Sequence, residues 1–180
     1  MKRSSIIRDK ISVARVSFGI VSSLFLGWMF LYSQEQVPFP EGWEKLNFVE
    51  QGEILKGNPL FAIFPGFHKI YLNDIAYEHF KKHIKEYKEG KIPPPFPEGS
   101  MMVFVNFKDK EGKEPRLILV IHKKKEYGQT GGWGWEGFLM PEKKRIVANP
   151  DKDCANCHYK GAKDWDGAFL SHAKNRIIEK

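Results

Sequence analysis

Beyond residue 66 the chain alternates short apolar runs with one longer stretch of helical period. "FHKIYL" (67–72) is rich in β-branched and aromatic residues and predicts a strand. In "DIAYEHFKKHIKEYKEG", Tyr77, Phe80, Ile84 and Tyr87 recur three and four apart. With Asn73 or Asp74 as cap and Gly90 as stop, this predicts one amphipathic helix. Pro93, Pro94 and Pro95 exclude both helix and central strand, so "KIPPPFPEGS" is expected to be a rigid loop. Two unbroken apolar runs follow, "MMVFVNF" (101–107) and "RLILVIH" (116–122), joined by the charged, glycine-containing "KDKEGKEP". Their composition predicts an antiparallel hairpin buried on both faces. "GQTGGWGWEGFLM" reads as a glycine-rich turn leading into an aromatic strand, and Trp43, Leu46 and Phe48 as residues that dock the Pro- and Gly-punctuated segment before residue 66. No internal repeat is visible. The expected fold class is α+β, a predominantly antiparallel sheet with flanking helices.

The first residues follow a different pattern. Lys2, Arg3, Arg8, Lys10 and Arg15 precede an uncharged run from Val16 to Tyr32. Its length lies between a signal-peptide core and a full membrane span, and the basic flank keeps that end cytoplasmic while the remainder is exported. Cleavage after export and retention as a membrane anchor both fit. The expected organisation is thus a targeting segment, 1–33, and one domain, 34–180, placed in the periplasm or an equivalent extracytoplasmic space. Five basic residues and one acid lie in residues 1–34, which leaves +3 of the total +7 for the domain. That balance calls for no nucleic-acid partner, and "HKKKE" (122–126) and "PEKKR" (141–145) read as solvated strand ends and turns.

The chemistry concentrates near the C-terminus, in "NPDKDCANCHYKGAKDWDGAF". Cys154 and Cys157 are the chain's two cysteines, and His158 follows directly. Four readings compete: a redox dithiol, a structural disulfide, half of a zinc site, or covalent haem attachment. A zinc site needs a fourth ligand, for which His68, His79, His83 or His172 would have to come close. A thioredoxin-like dithiol expects alternating βαβ units, which this pattern lacks. A disulfide spanning two residues closes too small a loop to stabilise much. Haem attachment accounts for every residue of the motif: two thioethers from one helical turn, with His158 as the axial iron ligand. Asn149 as cap, Pro150 at the first helical position and acids in the first turn predict a helix carrying the motif. The reading is one covalent haem c on a C-terminal haem-attachment helix.

Small helical cytochromes c carry this motif near the N-terminus with a methionine ligand downstream; here it lies near the C-terminus and no methionine follows. The ordered set "FHKIYLND", "FPEGS" before an apolar strand, "TGGWGWEGF", "CANCH" and "DGAF" resembles the cytochrome P-460 family, which includes the cytochromes c′-beta, over roughly residues 60–170. The resemblance implies a periplasmic, β-rich, commonly dimeric protein with one five-coordinate c-haem whose open face binds small nitrogen species.

The resemblance also implies a division by what lines that open face. Hydroxylamine-oxidising members cross-link a strand lysine to the porphyrin and place a proton-accepting carboxylate on the neighbouring strand. Counting along "EGSMMVFVNF", the lysine position falls at Phe104, and the carboxylate position near Ile118 or Leu119. In c′-beta members aromatic rings cap the iron, which is the expectation for Phe104; an ordinary core phenylalanine is the alternative. Lys108 lies four residues beyond Phe104, on the same face by strand periodicity. His68 is expected at the surface or satisfied in the core, with approach to the pocket as the alternative. Oxidising hydroxylamine needs a base in reach, whereas an apolar pocket favours an uncharged diatomic over anions. The expected ligand is therefore nitric oxide or a related small nitrogen species, with the redox partner open. The competing functions are a hydroxylamine or nitric oxide oxidoreductase, and an electron carrier using Met101, Met102 or Met140 as sixth ligand.

Overall fold

The apolar runs form a six-stranded antiparallel meander in which each strand pairs with its neighbours in sequence. The structure, a computed structural model, describes residues 35–89 and 91–170, without the side chains of 87 and 88. The targeting segment, Gly90 as helix stop, the Tyr87 ring and His172 therefore lie outside the described residues. The described residues belong to one compact unit, and among them no helix is long and apolar enough to cross a membrane.

The strands are β1 (Asn47–Ile54), β2 (Gly66–Leu72), β3 (Met101–Phe107), β4 (Pro115–Lys123), β5 (Trp133–Leu139) and the two-residue β6 (Lys144–Arg145). Alternation sends successive side chains to opposite faces. Tyr71, Val103, Val105, Ile118, Val120 and Phe138 form one face, covered by Val37, Phe39, Trp43 and Leu46. That cover docks residues 37–46 on the sheet, while the rest of the Pro- and Gly-punctuated segment supplies β1, a strand its sequence pattern does not mark. Trp43 sets its ring edge-on to Tyr71 at 5.3 Å.

The opposite face carries Ile70, Leu72, Met102, Ile121, Trp133 and Trp135. Helix α1 (Asp74–Lys82) packs on it through Ala76 and Phe80. Asn73 is the cap: its Oδ1 accepts from the Ala76 and Met101 amides at 3.0 Å each, and its Nδ2 donates to the Gly99 carbonyl at 2.7 Å. One side chain thus joins helix, strand and turn. The expected single helix is broken at His83, where ψ rises to 11°, and resumes as α2 (Ile84–Lys88). The break coincides with a contact to the proline loop. His79 bonds the Pro94 carbonyl at 3.0 Å, and its ring packs on His83 at 4.7 Å and on Phe96 at 4.5 Å, which ties this turn to the proline loop.

The β3–β4 hairpin departs from expectation in a way that matters for function. Val103, Val105, Ile118 and Val120 are at most 1% exposed, but Phe104, Leu119 and Ile121 on the other face are only half-buried. The hairpin is buried on one face and partly open on the other.

Candidate functional site

The helix bearing the cysteines starts as its sequence requires. Asn149 Oδ1 accepts from the Lys152 amide at 3.0 Å, and Asp153 returns the bond by accepting from the Asn149 amide at 2.9 Å. A π-helical turn, Asp151–Ala155, runs directly into α3, Asn156–Gly161. Asp151 secures it to the glycine-rich turn by accepting from the Thr130 amide at 2.9 Å. Ala155 is buried in the same core cluster as Trp135, and half-buried Cys154 packs against that cluster.

Both thiols are free, with Cys154 half-buried and Cys157 exposed. Burial, then the charges of Asp153, Glu136 and Cys157, pushes the Cys154 thiol up to about 12. Among the described residues no three His, Cys, Asp or Glu side chains gather as a metal site. His79 and His83 belong to the α1–α2 turn instead.

His158 is aimed rather than loose. Its ring meets Trp135 edge-on at 4.6 Å and Phe169 at 4.9 Å. Nδ1 lies 2.7 Å from the Gly167 carbonyl, and a carbonyl only accepts, so Nδ1 carries the proton and Nε2 keeps a lone pair. Burial lowers the imidazole below its ordinary range, against a smaller upward pull from that hydrogen bond, so the ring is neutral near pH 7. A neutral imidazole with a committed Nδ1–H is the state that donates to iron.

Strand register places the remaining residues. Met102, Ile121 and Trp135 form one cross-strand row on the His158 side, and Ile70, Phe104, Leu119 and Gly137 form the next, about 7 Å further along the strands. Phe104 and His158 thus look onto the same face. Phe104 stacks on His68 (5.1 Å, 20° between planes) and tilts against Phe64 at 5.5 Å. Leu119 stands directly opposite Phe104; Ile118 belongs to the other face and is fully buried. Of these two residues, Leu119 alone shares the face of Phe104. Lys108 is not on the face at all. A register shift between Asn106 and Phe107 ends the alternation, and Lys108 sits in the hairpin turn, half-exposed, 3.8 Å from Glu114.

Of the polar groups of this face, Glu50 was not legible in the sequence. A bulge in β1 inserts Val49 between Phe48 and Glu50 and pairs Glu50 with Ile70, so a buried carboxylate joins the apolar row. His68 is half-buried beside it, opposite Asn106. Asn106 donates to the Pro65 and Phe67 carbonyls at 3.1 Å each and accepts from Arg116. The methionines also separate: Met101 and Met140 pack with the opposite core, and only Met102 shares the His158 side, where it is buried. A hollow of about 210 Å³ between residues 35–37 and the start of the cysteine-bearing helix includes neither His158 nor Phe104 in its lining.

The residues fit a haem. Two thiols three apart on a helix, a neutral histidine with its Nε2 lone pair available, and an apolar sheet face left half-open beside it are the donor set and walls that such a group requires. None of the curated proteins compared matches the chain significantly. A family model described as Cytochrome P460 matches residues 40–170, most of the chain and nearly all of the sheet and helices just described, and the protein belongs to the Cytochrome P460 family of haem proteins.

Proposed function

We propose that this chain is an exported mono-haem c-type cytochrome that binds nitric oxide or a related small nitrogen ligand at an open iron face capped by Phe104. In this reading Cys154 and Cys157 form the thioethers and His158 is the axial ligand. The haem supplies an open coordination position and electrons. The chain's own residues supply the selectivity: Phe104, Ile70 and Leu119 present hydrocarbon, which excludes anions and disfavours water. The observation that carries the reading is the pairing of Phe104 with Leu119, so that neither a cross-linking lysine nor a carboxylate occupies the positions that hydroxylamine oxidation uses in this family. Scavenging, transient storage or sensing all follow from such a pocket. Export through the N-terminal run, a location in the periplasm or its equivalent, an unidentified redox partner and a homodimer belong to the same reading.

A second reading, a hydroxylamine or nitric oxide oxidoreductase, is favoured by Glu50 and His68 at the polar end of the same face. Optical spectra of the ferrous protein, with and without nitric oxide, separate the alternatives. The proposal expects a five-coordinate, high-spin ferrous spectrum that changes on adding one equivalent of nitric oxide. A six-coordinate, low-spin ferrous spectrum would indicate the electron carrier. A main ferrous band far to the red, with a lysine–porphyrin bond in tryptic peptides, would establish the oxidoreductase.

A further inference from the structure

We propose that Asp166 is the positioning residue for His158, clamping the turn whose Gly167 carbonyl fixes the imidazole; this rests on His158 as axial ligand. The turn is unusual in its backbone. Asp166 has φ of 53° and Gly167 φ of 79°, two consecutive left-handed residues of which the first is not glycine. Such a conformation persists only where surrounding contacts impose it, and here they come from four directions. Asp166 Oδ2 accepts from Lys123 Nζ of β4 at 2.7 Å and from the Phe96 amide of the proline loop at 3.0 Å. Its Oδ1 accepts from the Tyr159 hydroxyl of α3 at 3.3 Å. Its backbone carbonyl accepts from the Trp133 indole of β5 at 2.8 Å.

The pair is well shielded, with the Lys123 and Asp166 side chains 13% and 14% exposed, and Lys123 lies over the Trp133 ring at 4.9 Å. Shielded ion pairs add little net stability once desolvation is counted, so their energetic return is small while their geometric effect is large. Tyr159 closes the clamp. It lies in a hollow made by two glycines: a Cβ at Gly131 would fall 1.5 Å from its hydroxyl, and one at Gly167 3.0 Å from its ring. Helix, sheet and loop therefore all meet on the one residue preceding the carbonyl that His158 uses. Holding that carbonyl at 2.7 Å from Nδ1 raises the electron-donating power of Nε2.

The test uses the full-length holoprotein and two readouts that do not depend on turnover: the iron–histidine stretching band of the ferrous protein by resonance Raman, and the reduction potential. In Asp166→Ala the band is expected to move to lower frequency and the potential to rise, with haem still attached. Asp166→Asn, which keeps an acceptor for the Phe96 amide but loses the ion pair, is expected to shift both by less. Lys123→Arg, which keeps the cation, should leave nearly wild-type values. If Asp166→Ala does not fold, Asp166→Asn and Lys123→Met decide. A wild-type band and potential in folded, haem-loaded Asp166→Asn and Lys123→Met would overturn the proposal and leave the clamp merely structural. A wild-type protein without an iron–histidine band, or a band that survives His158→Ala, would instead remove His158 as ligand and with it the premise.

Discussion

Phe104 is gripped on two sides, by the His68 ring at 5.1 Å and by Phe64 at 5.5 Å, yet it is only half-buried. Removing its ring therefore costs less than emptying a closed core position: Phe104→Ala is expected to lose about 1–3 kcal/mol of stability, below the usual 3–5 for a buried aromatic. The larger effect should be on ligand entry. Stopped-flow mixing with nitric oxide should show faster binding, and larger or more polar ligands should gain access. An unchanged entry rate would make Phe104 an ordinary wall of the sheet. The cysteines give a second test at this scale. Cys154→Ala combined with Cys157→Ala should yield protein whose haem is extracted by acidified acetone, while His158→Ala keeps it attached but alters the ferrous spectrum. Acid-extractable haem in the unaltered protein would end the c-type assignment.

Among the elements, the α1–α2 break makes a prediction about pH. Burial first, and then the neighbouring His83, lowers the His79 imidazole below its ordinary value; Lys82 adds slightly, while the Pro94 carbonyl and Asp166 pull the other way. A depressed value means that the unfolded chain takes up the proton first. The stability associated with neutral His79 is thus complete above about pH 6.5 and is lost as pH falls through the lower folded value. His79→Gln keeps a donor for the Pro94 carbonyl without titrating. Urea midpoints at about pH 7.5 and about pH 5.5 should fall less in His79→Gln than in the wild type; equal falls would exclude His79 as a source. Strands β2 to β5, the helix start at Asn73 and the cysteine-bearing helix could be read from residue pattern because local periodicity and capping determine them, whereas β1 and β6 carry no apolar run or alternation that marks them. The break at His83 could not be read, because what ties that turn down, the Pro94 carbonyl, lies 15 residues from its partner His79. Nor could the face of Glu50, which a single inserted residue in β1 decides, nor the burial of Lys123, which reads as part of a solvated basic run until Asp166 is brought to it by the fold. Lys108 leaves the face for the converse reason: strand periodicity holds only as far as the ladder, which ends before it.

For the whole molecule, the described domain leaves Leu55, Leu60 and Ile63 between 41% and 60% exposed along one connection between β1 and β2. Apolar residues so placed fit the homodimer proposed above, and sedimentation of the chain from Gln34 onward at micromolar concentration tests it. A mass matching one chain would remove the dimer and leave the site reading intact, since every site residue belongs to one chain. Delivery to the compartment where haem is attached is a separate requirement, met in this reading by the run from Val16 to Tyr32, which carries no charge. Inserting such a run into a membrane depends on its hydrophobicity, and each aspartate near its centre costs about 2.5–3.5 kcal/mol. Leu24→Asp together with Leu26→Asp should therefore cost about 5–7 kcal/mol, enough to stop export. The haem domain itself is untouched by these changes, so any loss of haem is a loss of delivery and not of binding. Peroxidase staining of the denatured protein, together with intact mass, should show unmodified cysteines and an uncleaved N-terminus. Full covalent haem loading in the doubly substituted chain would mean that another route carries the domain.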